Sequence, residues 1–205
     1  MESYRNRDTN VEVEISKYLD EKFYPSINAK INRFKNKEDQ LLGKDILFTY
    51  LDLTDAIVDE KAKTHYINKG IPTFAFELSF IHDGKVIPGW LIDSKKVTDH
   101  YILLDVWAKK NWNIVKEDIT KIEVYILNRI VLLNYLLDHG FSTKLLLEKS
   151  KQIRESKISG QIEKGSHQGF YFFFTINLKE KPINIIVRKD IIRKLSYKYF
   201  IYPNS

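Results

Sequence analysis

Apolar positions in this chain recur at two spacings, and the spacings divide it into elements. Val11, Ile15, Tyr18 and Leu19 follow at helical intervals, which predicts an amphipathic helix near Thr9 to Glu21, with Thr9 as its cap and Pro25 just past its end. Beyond it, short apolar runs and alternating patterns predict strands over 45–51, 57–62, 74–81, 86–92 and 100–106. Asp52-Leu53-Thr54-Asp55 lies between the first two runs, so strand 45–51 folds back on strand 57–62 as a hairpin. His82-Asp83-Gly84-Lys85 marks a second hairpin turn. The later pattern predicts a strand over 121–127, a helix over 129–139 that Gly140 terminates, and a second helix over 143–156. Ser159 to Gln168, polar and glycine-containing, reads as a loop able to move over a substrate. Within 169–178, Phe170-Tyr171-Phe172-Phe173-Phe174 reads as buried strand core in preference to a base-stacking platform. Residues 183–188 supply its partner strand, followed by a short basic helix. The expected fold class is α/β (α+β), with a mixed central sheet flanked by helices and a basic α+β C-terminal extension.

Length and composition bound this picture. With 205 residues and 43% hydrophobic content, the chain can bury a sizeable core, and one domain over 1–205 is expected, with a core at about 9–121 and the extension at about 122–205. No apolar run approaches the roughly 20 residues that span a bilayer. Met1 to Asn10 are polar and do not resemble a signal peptide, so a cytoplasmic protein without a membrane partner is expected. The absence of cysteine removes disulfides and thiolate zinc sites. His65, His82, His100, His139 and His167 show no ligand spacing, and no glycine-rich phosphate loop or nucleophile elbow is present. Trp90, Trp107 and Trp112 read as core or core-edge packing.

Charge changes the functional expectation. The net charge is +6, and residues 144–205 hold 13 Lys and Arg against 5 acids. A basic flank of this kind neutralises phosphates along a nucleic acid. Lys149, Lys151, Arg154 and Lys157, then Arg188, Lys189, Arg193 and Lys194, are its candidates, against the simpler alternative of a solvated helix face. Lys63 and Tyr66 are further candidate phosphate contacts, against the default of a surface lysine and a packed tyrosine.

The candidate chemistry sits earlier. An acid, any residue and a lysine recur from Asp20, Asp59, Asp83, Asp93 and Glu155, and only Asp59 follows a strand-like run with a glycine-led aspartate, Asp45, just upstream. On a strand, Asp59 and Lys61 share one face while Glu60 points to the other. Two carboxylates and an ammonium at one place suit metal-assisted phosphodiester hydrolysis, because Mg²⁺ is held by one or two carboxylates, water and substrate phosphate. The alternative is a solvated hairpin edge with an incidental ion pair.

Gln40-Leu41-Leu42-Gly43-Lys44-Asp45-Ile46, Val58-Asp59-Glu60-Lys61-Ala62, Phe74-Ala75-Phe76-Glu77-Leu78 and Gly89-Trp90-Leu91-Ile92 together resemble the core of the PD-(D/E)XK nuclease superfamily, the restriction-endonuclease-like fold, over roughly residues 9–105. Lys44 stands where the nominal motif has its proline. The resemblance implies that Asp45 and Asp59 bind Mg²⁺, with Mn²⁺ as a substitute, and that Lys61 positions or activates the attacking water. Next to two carboxylates, Lys61 is expected to stay charged and to orient and neutralise instead of abstracting a proton. The Glu60 backbone carbonyl can reach the ion, Gln40 resembles a supporting residue, and Glu77 extends the acidic site if its strand neighbours 57–62. The implied activity is a DNA endonuclease, and a homodimer would suit cutting both strands. A catalytically inactive nucleic-acid-binding module and a protein-interaction subunit of a defence or repair assembly are the alternatives.

Overall fold

The computed structural model describes residues 4–162 and 169–203. In chain order the elements are α1 (Tyr4–Tyr18), α2 (Tyr24–Ser26), β1 (Lys30–Arg33), α3 (Lys37–Leu41), β2 (Ile46–Tyr50), β3 (Leu53–Ala62), β4 (Thr73–His82), β5 (Lys85–Pro88) and β6 (His100–Ala108). They continue with β7 (Ile119–Asn128), α4 (Arg129–Asp138), α5 (Thr143–Ser156), β8 (Gly160–Ile162), β9 (Phe170–Phe174), β10 (Ile183–Arg188), α6 (Lys189–Leu195) and β11 (Lys198–Tyr202). This is a mixed α/β protein with two sheets, one ordered β1-β2-β3-β6-β7-β11 and the other β5-β4-β10-β9-β8. The chain falls into two compact units, one of 1–71, 97–127 and 196–205, the other of 72–96 and 128–195. Among the described residues no helix is long and apolar enough to cross a membrane.

In the first unit, β1, β2 and β3 form an antiparallel meander, and β3 continues into a parallel pairing with β6. The register Ile46↔Val58 and Leu47↔Ile57 makes the expected hairpin, but the turn is at 51–52, where Leu51 takes φ +54, and residues 53–55, expected in the turn, already belong to β3. One face of the sheet packs on the first helix: Val11, Ile15, Leu19 and Phe23 join Ile46, Phe48, Val58, Ile102, Leu104 and Val124 in one buried cluster. The helix differs from its expected form. Thr9 lies inside α1 instead of capping it, a π-helical turn over Leu19–Phe23 carries the helix onward, and Pro25 falls within α2. Proline is tolerated there because the first turn of a helix leaves its N–H groups without an intrahelical partner.

In the second unit, β4 and β5 form the expected hairpin, with Asp83 at φ +48 and Gly84 at φ +73, the two positive values a tight two-residue turn requires. The expected strand 86–92 stops at Pro88. Gly89 then turns the chain, its N–H donating to the Leu78 carbonyl at 2.8 Å. β10 lies between β4 and β9, antiparallel to both. Phe170, Phe172 and Phe174 are buried, as the aromatic run predicted. Asn128 caps α4, accepting from Ile130 and Val131, and Ser142 caps α5. Part of the expected loop 159–168 is instead β8, paired to β9; 163–168 lie outside the described residues. Trp112, expected in the core or at its edge, is 55% exposed.

Candidate metal and phosphate site

The site arises where β2 and β3 part company. β2 begins at Ile46 opposite Val58, so beyond Val58 the edge of β3 has lost its antiparallel partner. Asp45 replaces that partner. Its backbone N–H donates to the Val58 carbonyl at 2.9 Å, and its carboxylate Oδ2 accepts the Glu60 backbone N–H at 2.8 Å. A carboxylate here both satisfies a strand donor that would otherwise be left unpaired and is held firmly against β3. The approach to Asp45 is equally fixed. Asn36 caps α3 through the Asp39 N–H, and the Gly43 carbonyl accepts from the buried Thr98 hydroxyl at 2.8 Å. Gly43 takes φ +78, a conformation that favours glycine.

Asp59 and Lys61 point from β3 to the same place. Asp59 is buried, and Lys61 Nζ donates to its Oδ1 at 2.6 Å. The Asp59 carboxylate is also within hydrogen-bonding reach of Asp45. Burial first, and then the facing Asp59 charge, push the Asp45 carboxyl up to about 7, against the opposing pull of Lys61 and the Glu60 N–H. For Lys61, burial works against the charged form, but Asp59 and Asp45 outweigh it and raise the pKa. Lys61 is therefore an ammonium at neutral pH. Two carboxylates crowded so closely that one retains a proton near neutrality form a site with surplus negative potential, which a cation relieves.

Alternation on β3 sends Glu60 to the other side, where it joins a separate network. Arg33 donates to Glu60 at 2.9 and 3.0 Å and to Asp20 at 2.6 and 2.7 Å. Ser16 Oγ also donates to Glu60, at 3.1 Å, as does the buried Tyr24 hydroxyl at 2.5 Å. Burial pulls the Arg33 pKa down, but the two carboxylates raise it overall. Burial and Glu60 together raise that of Tyr24. This network clamps β3 immediately beside Asp59 and Lys61.

Both arrangements open on one cleft of about 500 Å³, lined by residues including Asp45, Glu60, Lys61, Arg33, Gln40 and Glu12. Gln40, expected as a supporting residue, is exposed at its wall. Glu12 escaped the sequence reading. It stands on α1 one and two turns before Ser16 and Asp20, and its charge helps raise the Lys61 pKa. The signal was the polar stripe Glu12, Ser16, Asp20 opposite the apolar face of the helix, which has no meaning until the helix is laid across β3. Arg33, on the short edge strand β1, carried no comparable signal.

Other expected residues are placed elsewhere. β3 has β2 and β6 as neighbours, while β4 pairs with β5 and β10, so Glu77 does not extend the acidic site through an adjacent strand. Lys63 pairs with the buried Asp105 carboxylate at 2.5 Å and is 12% exposed, so a structural role replaces the expected phosphate contact. Lys149, Lys151, Arg154, Lys157, Arg188, Lys189, Arg193 and Lys194 all belong to the second unit. Of these, Arg154 donates to the buried Ser79 hydroxyl at 2.7 Å and to the Lys181 carbonyl at 3.0 Å, and Arg188 forks onto Asp190 at 3.0 and 2.8 Å.

Among the described residues no three His, Cys, Asp or Glu side chains gather at ligating distance. The donor set at Asp45 and Asp59 is thus two carboxylates, which fits Mg²⁺, an ion that keeps several waters and shares substrate oxygens. It does not fit a structural zinc centre, which takes four nitrogen or sulfur ligands. No family model, curated protein or solved structure matches this chain.

Proposed function

We propose that this protein is a Mg²⁺-dependent endonuclease that hydrolyses DNA phosphodiester bonds, built on a restriction-endonuclease-like core in the first unit. The observation that carries the reading is the convergence of Asp45, Asp59 and Lys61 at the open end of β3, beside a cleft. The order of a helix, an antiparallel hairpin bearing the acids and a parallel neighbouring strand supports the fold assignment.

In this reading Asp45 and Asp59 hold the ion, with the Glu60 backbone carbonyl as a further oxygen donor, and Mn²⁺ substitutes for Mg²⁺. When bound, the ion supplies Lewis acidity toward the scissile phosphate and lowers the pKa of its own water. The chain's residues do the rest. Asp59 fixes the Lys61 ammonium at 2.6 Å, where it orients the attacking water and offsets phosphate charge. Lys61, protonated, is a poor base, so its contribution is electrostatic. The Arg33 clamp on Glu60 keeps the backbone between Asp59 and Lys61 from shifting. This matters because small misplacements of catalytic groups cost rate steeply.

The test incubates the wild type, Asp59→Asn and Lys61→Ala with supercoiled, linear duplex and single-stranded DNA in Mg²⁺, Mn²⁺ or chelator. Metal-dependent cleavage by the wild type alone is expected, with losses of at least about 100-fold in the variants. Undiminished cleavage by both variants would sink the assignment. Wild-type protein that binds DNA without cutting it would instead indicate the catalytically inactive binding module.

A further inference from the structure

β3 does not end at the proposed site. Past Lys61 the chain makes a 3₁₀ turn, Thr64–Tyr66, and loops back along the end of β6. Asn68 fastens that loop. Its backbone N–H donates to the Val106 carbonyl at 3.0 Å, its side-chain amide donates to Ala108 O at 2.9 Å and Asn111 Oδ1 at 2.7 Å, and its Oδ1 accepts the Ala108 N–H at 2.8 Å. One asparagine therefore ties the loop of residues 65–70 to β6 and to the following loop, which carries Trp112.

On this joined edge, aromatic rings and lysines interleave. Tyr66 is 44% exposed and Trp112 55%. Lys69 Nζ lies 5.6 Å from the Tyr66 ring centre, and Lys121 Nζ lies 3.8 Å from that of Trp107. Gly70 passes so close to Trp107 that a Cβ there would stand 3.2 Å from the indole, so the loop backs the ring directly. Lys109, two residues after Trp107, adds an exposed cation. Scattered exposed aromatics are ordinary. Here the loops that carry Tyr66 and Trp112 are tied together through Asn68 and the rings are accompanied by cations, the combination that binds unpaired bases by stacking and their backbone by charge.

We propose that this edge of the first unit, with Tyr66, Lys69, Trp107, Lys109, Trp112 and Lys121, is a binding surface for single-stranded polynucleotide. Tyr66 lies five residues after Lys61, at most ~17 Å along an extended chain. Nucleotides flanking the cleaved bond would therefore meet it, a consequence that rests on the nuclease reading. The surface itself does not depend on that reading. Apart from Tyr66, already a candidate phosphate contact, it departs from the sequence expectation, which placed most such contacts in the C-terminal basic runs.

The experiment measures anisotropy of labelled oligodeoxythymidylate, oligouridylate and a DNA duplex with full-length protein, in chelator so that no cleavage intervenes. Wild type is compared with Trp112→Ala, Tyr66→Ala, Lys69→Ala with Lys109→Ala, and Lys85→Ala as control. The single-stranded oligomers should bind more tightly than duplex and quench tryptophan fluorescence. Each aromatic variant should lose about 5- to 100-fold in affinity, and each lysine removed should flatten the logarithmic salt dependence by about 0.7. Both ring residues are exposed, so unchanged far-ultraviolet circular dichroism is expected. Lys85→Ala, an exposed lysine in the second unit, should bind as wild type, and because binding is read in chelator without cleavage, the surface and the nuclease reading can fail separately. Single-stranded binding that survives loss of both rings, equal binding of duplex, or no wild-type binding would overturn the proposal.

Discussion

Asp45→Asn removes one charge from the carboxylate pair while leaving an oxygen to accept the Glu60 N–H, now 2.8 Å from Asp45 Oδ2. The wild-type carboxyl, ordinarily near 3.9, is pushed up to about 7 by burial and by Asp59. Between those pH values the native state holds a proton that the unfolded chain has released. Wild-type stability therefore falls as pH rises through the window, and the contribution is lost above about 7. Roughly three pH units at 1.36 kcal/mol each set a ceiling of about 4 kcal/mol. Asp45 is only partly buried by area, and screening brings the working figure to about 2 kcal/mol. Denaturant or thermal unfolding in chelator at pH 5 and pH 8 measures it. The variant should exceed wild type by about 0.7 kcal/mol at pH 5, where a third of the window is already crossed, and by about 2 kcal/mol at pH 8, a widening of about 1.3 kcal/mol or roughly 3–5 °C in Tm for a chain of this size. Mg²⁺ should narrow the gap by stabilising the wild type. Parallel pH profiles for the two proteins would refute the claim that the pair is electrostatically strained.

Arg33→Met takes the guanidinium from Glu60, whose side chain is 8% exposed, leaving its charge to the Ser16 and Tyr24 hydroxyls, and should cost about 3 kcal/mol in urea unfolding, with Arg33→Lys recovering part of the loss. Lys63→Met takes the Lys63 ammonium from Asp105, 2% exposed. It should destabilise by about 3 kcal/mol while leaving the salt dependence of DNA binding unchanged, which separates a structural lysine from a phosphate contact. Gly89→Ala drives a Cβ into the Glu77 carbonyl and should cost at least about 2 kcal/mol, read as a lowered transition in the unit that contains β4.

Local pattern determined most elements and the three central side chains. The hairpin of β2 and β3 follows from apolar runs separated by a polar turn. α5 spans Thr143–Ser156 as its periodicity required, because Leu146, Ser150 and Ile153 recur on one buried face. Period-two alternation alone placed Asp59 and Lys61 together and sent Glu60 away. Pairing over long sequence distance was not legible. Alternation specifies a strand's faces but not its neighbours, so nothing local indicated that β4 would join β10 instead of β3, or that Lys198–Tyr202 would pair with β7 as β11. The same limit hid Arg33 and Glu12. An arginine or a glutamate has no fixed role in a one-dimensional pattern, and only the crossing of α1 over the open end of β3 gives Arg33 two carboxylates to hold and brings Glu12 to the wall of the cleft.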